Sequence, residues 1–106
     1  PANGTTWEVA MKPSLALEGK REAVRAVVSR YPATNPRIFG SVLHGDDRED
    51  SDIDILVDAL PGATLFDLGD LQMALQELLG VSVDLRIPGE LSKHFRDEVL
   101  AEAAPI

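Results

Sequence analysis

The chain has 106 residues, no cysteine, 18 acidic and 10 basic side chains, and a formal net charge of −8. That length fits one domain of ordinary size, and the absence of thiols excludes a disulfide framework, a thiolate metal site and a cysteine nucleophile. The acidic balance argues against gripping nucleic acid through a general electrostatic field, and no apolar run reaches the roughly 18 residues of a membrane span. With no apolar leader at the N-terminus, a soluble cytoplasmic domain without membrane or direct nucleic-acid contact is expected.

In chain order, residues 1–13 carry two prolines and no periodicity. They are expected to form an extended arm, with Trp7 packing that arm or touching a partner, ahead of a single domain over residues 14–106. Ser14 stands where a helix N-cap belongs, and Leu17, Val24, Val27, Val28 and Tyr31 follow at helical spacing until Pro32. A turn is predicted over 33–36 and a short strand over Arg37–Gly40. Asp54 to Asp58 reads as a second strand. Pro61-Gly62 turns the chain, Thr64 and Asp67 resemble a capping box, and Leu68, Leu71, Leu75, Leu78 and Leu79 form an apolar stripe that Gly80 stops. Val81 to Ile87 alternates apolar and polar residues, as a half-buried strand does. Leu91 to Ala104 is predicted as a last helix with Phe95 and Val99 turned inward.

The charge is unevenly placed. His44 to Asp58 holds seven acidic side chains against one base, Arg48. Such a run is either a solvated loop or a site whose charge bound cations offset, and spacing discriminates between them. Gly40-Ser41 lies just past the first strand, and ten residues later come Asp52, Ile53 and Asp54. Residues two apart on a strand share a face, so Asp52 and Asp54 can aim at one spot. Asp84 sits mid-strand in VSVDLRI, where a carboxylate needs a cation or a donor. If the strands are neighbours, three carboxylates converge. Hard oxygen ligands at that density suit one or two Mg²⁺ ions, completed by substrate phosphates and water. Gly40 gives backbone room to approach a phosphate, and Ser41 adds a hydroxyl and an N–H. Arg86 shares the face of Asp84 and could pair with it in competition with a metal. Arg48 and His94 read as solvated surface residues.

The run GSVLHGDDREDSDIDILVD resembles the GSx10DxD signature of the DNA polymerase β-like nucleotidyltransferase superfamily. From about Met11 onward the chain is similar to the minimal nucleotidyltransferases (MntA-like proteins), the antitoxin partners of HEPN toxins, and LLGVSVDLRIPGELSKHFRDEVLAEAAPI is similar to that family's tail. The resemblance implies an α/β nucleotidyltransferase fold, a small mixed β-sheet flanked by helices. It further implies that Gly40 and Ser41 hold a triphosphate, that Asp52, Asp54 and Asp84 bind Mg²⁺ and carry catalysis, and that AMP is transferred from ATP. The acceptor it implies is a hydroxyl, a tyrosine in some relatives, of a HEPN toxin in a type VII-like toxin–antitoxin pair. A catalytically idle antitoxin acting by contact, or an enzyme modifying a small molecule, are the alternatives. The chain departs from the pattern at Leu43-His44-Gly45, where relatives often read Ala-Arg-Gly; His44 replaces that arginine only when protonated.

Overall fold

The computed structural model describes residues 12–48 and 50–106; most of the predicted arm, Trp7 included, lies outside them. Where one first helix was expected, there are two. Pro13 opens α1 (Pro13–Leu17) at a position where its missing N–H costs nothing. Ser14 is therefore inside the helix rather than its cap, and its N–H donates to Asp47 Oδ2 at 2.9 Å, across 33 residues of sequence. Gly19 takes φ +79° and breaks the helix, after which α2 (Arg21–Val28) buries Val24, Val27 and Val28.

Strand β1 runs over Ala33–Phe39, four residues earlier than predicted. The Asn-Pro pair that reads as a turn is accommodated by a bulge between Thr34 and Arg37, with Asn35 left-handed at φ +57°, a conformation asparagine tolerates better than most residues. Asp58 clamps that bulge, accepting from Arg37 Nη2 at 2.7 Å and Asn35 Nδ2 at 3.1 Å. A one-turn helix, α3 (Gly40–His44), follows directly. Strand β2 (Ile53–Ala59) turns Ile53, Ile55 and Val57, all fully buried, into the core. Asp54, Leu56 and Asp58 take its other face.

The longest element, α4 (Leu65–Leu79), has both ends written locally. Thr64 and Asp67 form the expected capping box, and Gly80 closes the helix at φ +71°. Leu71, Leu75 and Leu79 are buried, with Leu68 and Leu78 packed against the same core. Strand β3 (Val83–Arg86) then runs parallel to β2. Its outward N–H groups are not left open: Gln76 Oε1 accepts from Val83 at 3.1 Å and Gln72 Oε1 from Leu85 at 3.0 Å.

The C-terminal segment departs most from expectation. A 3-10 turn at Pro88–Glu90 precedes a short α5 (Arg96–Glu102). Arg96 Nη2 holds the intervening loop by the Leu91 carbonyl at 3.0 Å. Phe95 is not inward but 59% exposed, and Val99 is only half-buried. The chain ends in β4 (Ala104–Pro105), unforeseen, antiparallel to β1, with Ile106 buried and its N–H donating to the Pro36 carbonyl. The sheet order is β3-β2-β1-β4, one parallel pair among antiparallel ones. It is the small mixed sheet with flanking helices that the sequence implied.

Candidate active site

Sheet register assembles the site at one end of the open face. Asp54 stands opposite Phe39 on the β1 side and opposite Asp84 on the β3 side. Two carboxylates from separate strands are thus lateral neighbours in register. Asp52 lies exposed just ahead of β2, and its charge acts on Asp54. Phe39, half-buried beside Asp54, is a wall of the site that sequence reasoning overlooked; its place immediately before Gly40-Ser41 was the available signal.

Gly40 is required here on two grounds. Its φ is +73°, and a Cβ at this position would overlap the Asp54 carboxylate, standing 3.1 Å from Cγ and closer still to Oδ2. Glycine therefore lets the β1–α3 turn close against the acid. Ser41 follows in the first turn of α3, half-buried, and its carbonyl accepts from Asp46 N–H at 2.9 Å, which ties the acidic loop to the site.

The electrostatics follow from these placements. Burial pushes Asp54 up to about 6, and the charges of Asp84 and Asp52 push the same way, while Arg86 opposes them. Asp84 is engaged by Arg86, with Nε 2.9 Å from Oδ1 and Nη2 3.3 Å from Oδ2. That pair raises the guanidinium further above its ordinary value. Among the described residues, no three His, Asp or Glu side chains are gathered tightly enough to form a metal cage alone. Two adjacent carboxylates, one of them short of a counter-charge, nevertheless match what Mg²⁺ uses, since that ion takes one or two carboxylates and fills its octahedron with substrate oxygens and water.

The acidic loop divides. Asp47, expected to serve with the rest as a solvated or cation-binding acid, is 5% exposed, and hydrogen bonds from Ser14 hold its carboxyl below the usual range despite the burial. It is a helix cap. Arg48 and His94 are exposed, as expected. His44 Nε2 lies 3.4 Å from Glu102 Oε2, an exposed contact between α3 and α5 that is an ion pair only when the imidazole is protonated.

A glycine thus closes against a strand-borne aspartate, and a second aspartate stands in register on the neighbouring strand. The nucleotidyltransferase domain family matches residues 20–106, and the chain belongs to it. It is 40% identical over 73 residues to the protein adenylyltransferase MntA of Thermococcus cleftensis, covering 69% of this chain and 74% of that protein. To a provisionally named protein adenylyltransferase of Methanocaldococcus jannaschii it is 34% identical over 89 residues, covering 84% of this chain and 95% of the relative. Among solved structures, one provisionally described as a minimal nucleotidyltransferase superposes with a TM-score of 0.79 at 44% identity, covering 88% of this chain and 95% of the other. A toxin–antitoxin structure with AMP-PNP shares the fold, with a TM-score of 0.68 at 22% identity, over 80% of this chain and 70% of that one.

Proposed function

We propose that this chain transfers AMP from ATP to a hydroxyl of a protein partner, a HEPN-type toxin, and so acts as its antitoxin. The observation that carries the reading is the registered pair Asp54 and Asp84 beside the Gly40-Ser41 turn. Relatives named as protein adenylyltransferases support the acceptor class.

In this reading Asp52, Asp54 and Asp84 hold Mg²⁺, and Gly40 and Ser41 cradle the triphosphate with backbone N–H groups and a hydroxyl. Bound Mg²⁺ supplies counter-charge to the phosphates and makes the acceptor hydroxyl more acidic. The acceptor oxygen forms a bond to the α-phosphorus as the bond to the bridging oxygen breaks, and pyrophosphate leaves with that electron pair. The proton of the acceptor passes to Asp84. Transfer of this kind is positioning and charge neutralisation more than covalent chemistry by the protein. A partner that supplies the rest of the cleft also meets an acidic surface, and charge complementarity speeds such encounters.

The test is intact-mass analysis of a HEPN-type partner after incubation with this protein, ATP and Mg²⁺. The gain of one or more AMP units, absent without Mg²⁺, is expected. An unmodified partner that is still neutralised would replace this reading with an antitoxin acting by contact.

A further inference from the structure

The grip of Arg86 on Asp84 is not explained by the fold. Both side chains stand on the open face, 46% and 36% exposed, and an exposed pair on one strand contributes little to stability. Its geometry is nonetheless specific. Nε meets one carboxylate oxygen and Nη2 the other, the two-pronged fit that a guanidinium makes with carboxylate or phosphate and that lysine cannot reproduce. It occupies both oxygens of the carboxylate that stands in register with Asp54, so a divalent cation held by both acids would compete with it. One face of Asp84 thus serves two cations, one of them attached to the next residue but one. The charge of Glu90 also favours the charged guanidinium.

We infer that Arg86 is a two-position residue: it holds Asp84 until a divalent cation takes that carboxylate, and the displaced guanidinium then pairs with the phosphates of the incoming nucleoside triphosphate. In this order the cation frees Asp84 from Arg86, and the nucleotide then gives the displaced guanidinium a new partner. Arg86 is in this sense a positioning residue acting through Asp84, and its phosphate role rests on the nucleotidyltransferase reading above.

The two halves of the exchange predict opposite effects of one substitution. In Arg86→Gln, Mn²⁺ added without nucleotide should bind about tenfold tighter, because its competitor and a nearby like charge are gone. ATP in saturating Mg²⁺ should bind about tenfold weaker, because the phosphates lose a charged donor. Arg86→Lys, which keeps the charge without the fork, should move both affinities in the same directions as Arg86→Gln but by less. A pair that merely stiffens β3 would move neither affinity, or both in one direction. In the unsubstituted protein, the NMR signal of the Arg86 Nε–H should shift in step with Mg²⁺ saturation. A Mn²⁺ affinity that does not rise in Arg86→Gln, an ATP affinity that does not fall, or an Nε–H signal unmoved by Mg²⁺ overturns the inference. If the unsubstituted protein binds Mn²⁺ but no ATP, the nucleotidyltransferase reading fails, and the Mn²⁺ and NMR titrations still decide whether Arg86 and the metal exchange on Asp84.

Discussion

Asp47 and Asp54 lie seven residues apart in one acidic stretch, and the fold treats them in opposite ways. Asp47 is the more completely buried, yet its carboxyl is held below the usual range, because donors from Ser14 meet its charge. Asp54 is only partly covered, yet burial that no donor offsets pushes it up to about 6, and the charges of Asp84 and Asp52 push the same way. Burial alone does not set the state of a carboxylate; the groups it is buried with do. A structural acid has its donors in the chain. An acid with work to do is left short of them, and a ligand makes up the difference.

The sharpest way to break this contrast is to remove the charge on the side that lacks donors. Replacing Asp52 and Asp54 together by Asn should abolish transfer, by about a thousandfold or more, while circular dichroism shows an intact fold, since like-charge repulsion is relieved. Retained transfer in the double variant would show that the acids are ornament. Ser41→Ala removes one hydrogen bond to a charged group, worth about 1.5–3 kcal/mol, and should slow transfer roughly ten- to a hundredfold by the same conversion, with melting unchanged.

Two glycines sharpen the comparison on the side of backbone. Gly40 and Gly19 both have left-handed φ, but only at Gly40 would a Cβ meet anything. Gly19→Ala should cost about 1 kcal/mol, the backbone penalty alone, as read by urea denaturation. Gly40→Ala should cost about 2–3 kcal/mol, because the Asp54 carboxylate must also move, and transfer should fall with it.

The smallest effect is the most direct. Asp54 has a folded-state value above its ordinary one, so the stability it contributes is full below about pH 4 and is lost as pH rises through about 6. Asp54→Asn should therefore stabilise the metal-free protein at pH 7 by about 1 kcal/mol, after allowance for solvent screening, and by nothing at pH 4. Asp47 has the opposite sign. Its contribution is present above the ordinary carboxylate value and is lost as pH falls through the depressed one. Asp47→Ala should destabilise at pH 7 by about 1 kcal/mol, the loss of a helix cap. Melting curves of both variants from pH 3 to pH 8 check the two slopes together.

What the sequence made legible was local. The ends of α4 are encoded by Thr64, Asp67 and Gly80 within a turn of where they act, and β2 by its run of aliphatics. The spacing of Gly40-Ser41 from Asp52 and Asp54 pointed to the candidate site, where Gly40 does meet Asp54, and two-residue alternation anticipated that Arg86 could reach Asp84. What stayed hidden depends on partners far along the chain. Asp47 caps a helix 33 residues earlier. Ala104–Pro105 becomes a strand only because β1 lies beside it. Pro36 sits in a strand only because Asn35 can adopt a left-handed turn and Asp58 holds the bulge closed. That Asp84 pairs with Asp54 in particular is a matter of register, which no single strand specifies.

The glutamines of α4 carry a consequence for how this protein keeps company. An edge strand with open N–H groups invites a strand from another molecule, whether a partner or a misfolded copy. Gln72 and Gln76 occupy those groups on β3, and the opposite edge is a two-residue strand ending in Pro105, which has no N–H to offer. Among the described residues, both borders of the sheet are thus poor in free N–H groups, which disfavours strand addition. A protein that meets this one is left to recognise it by side chains and shape, and copies of it crowded together in a cell have little backbone seam along which to zip.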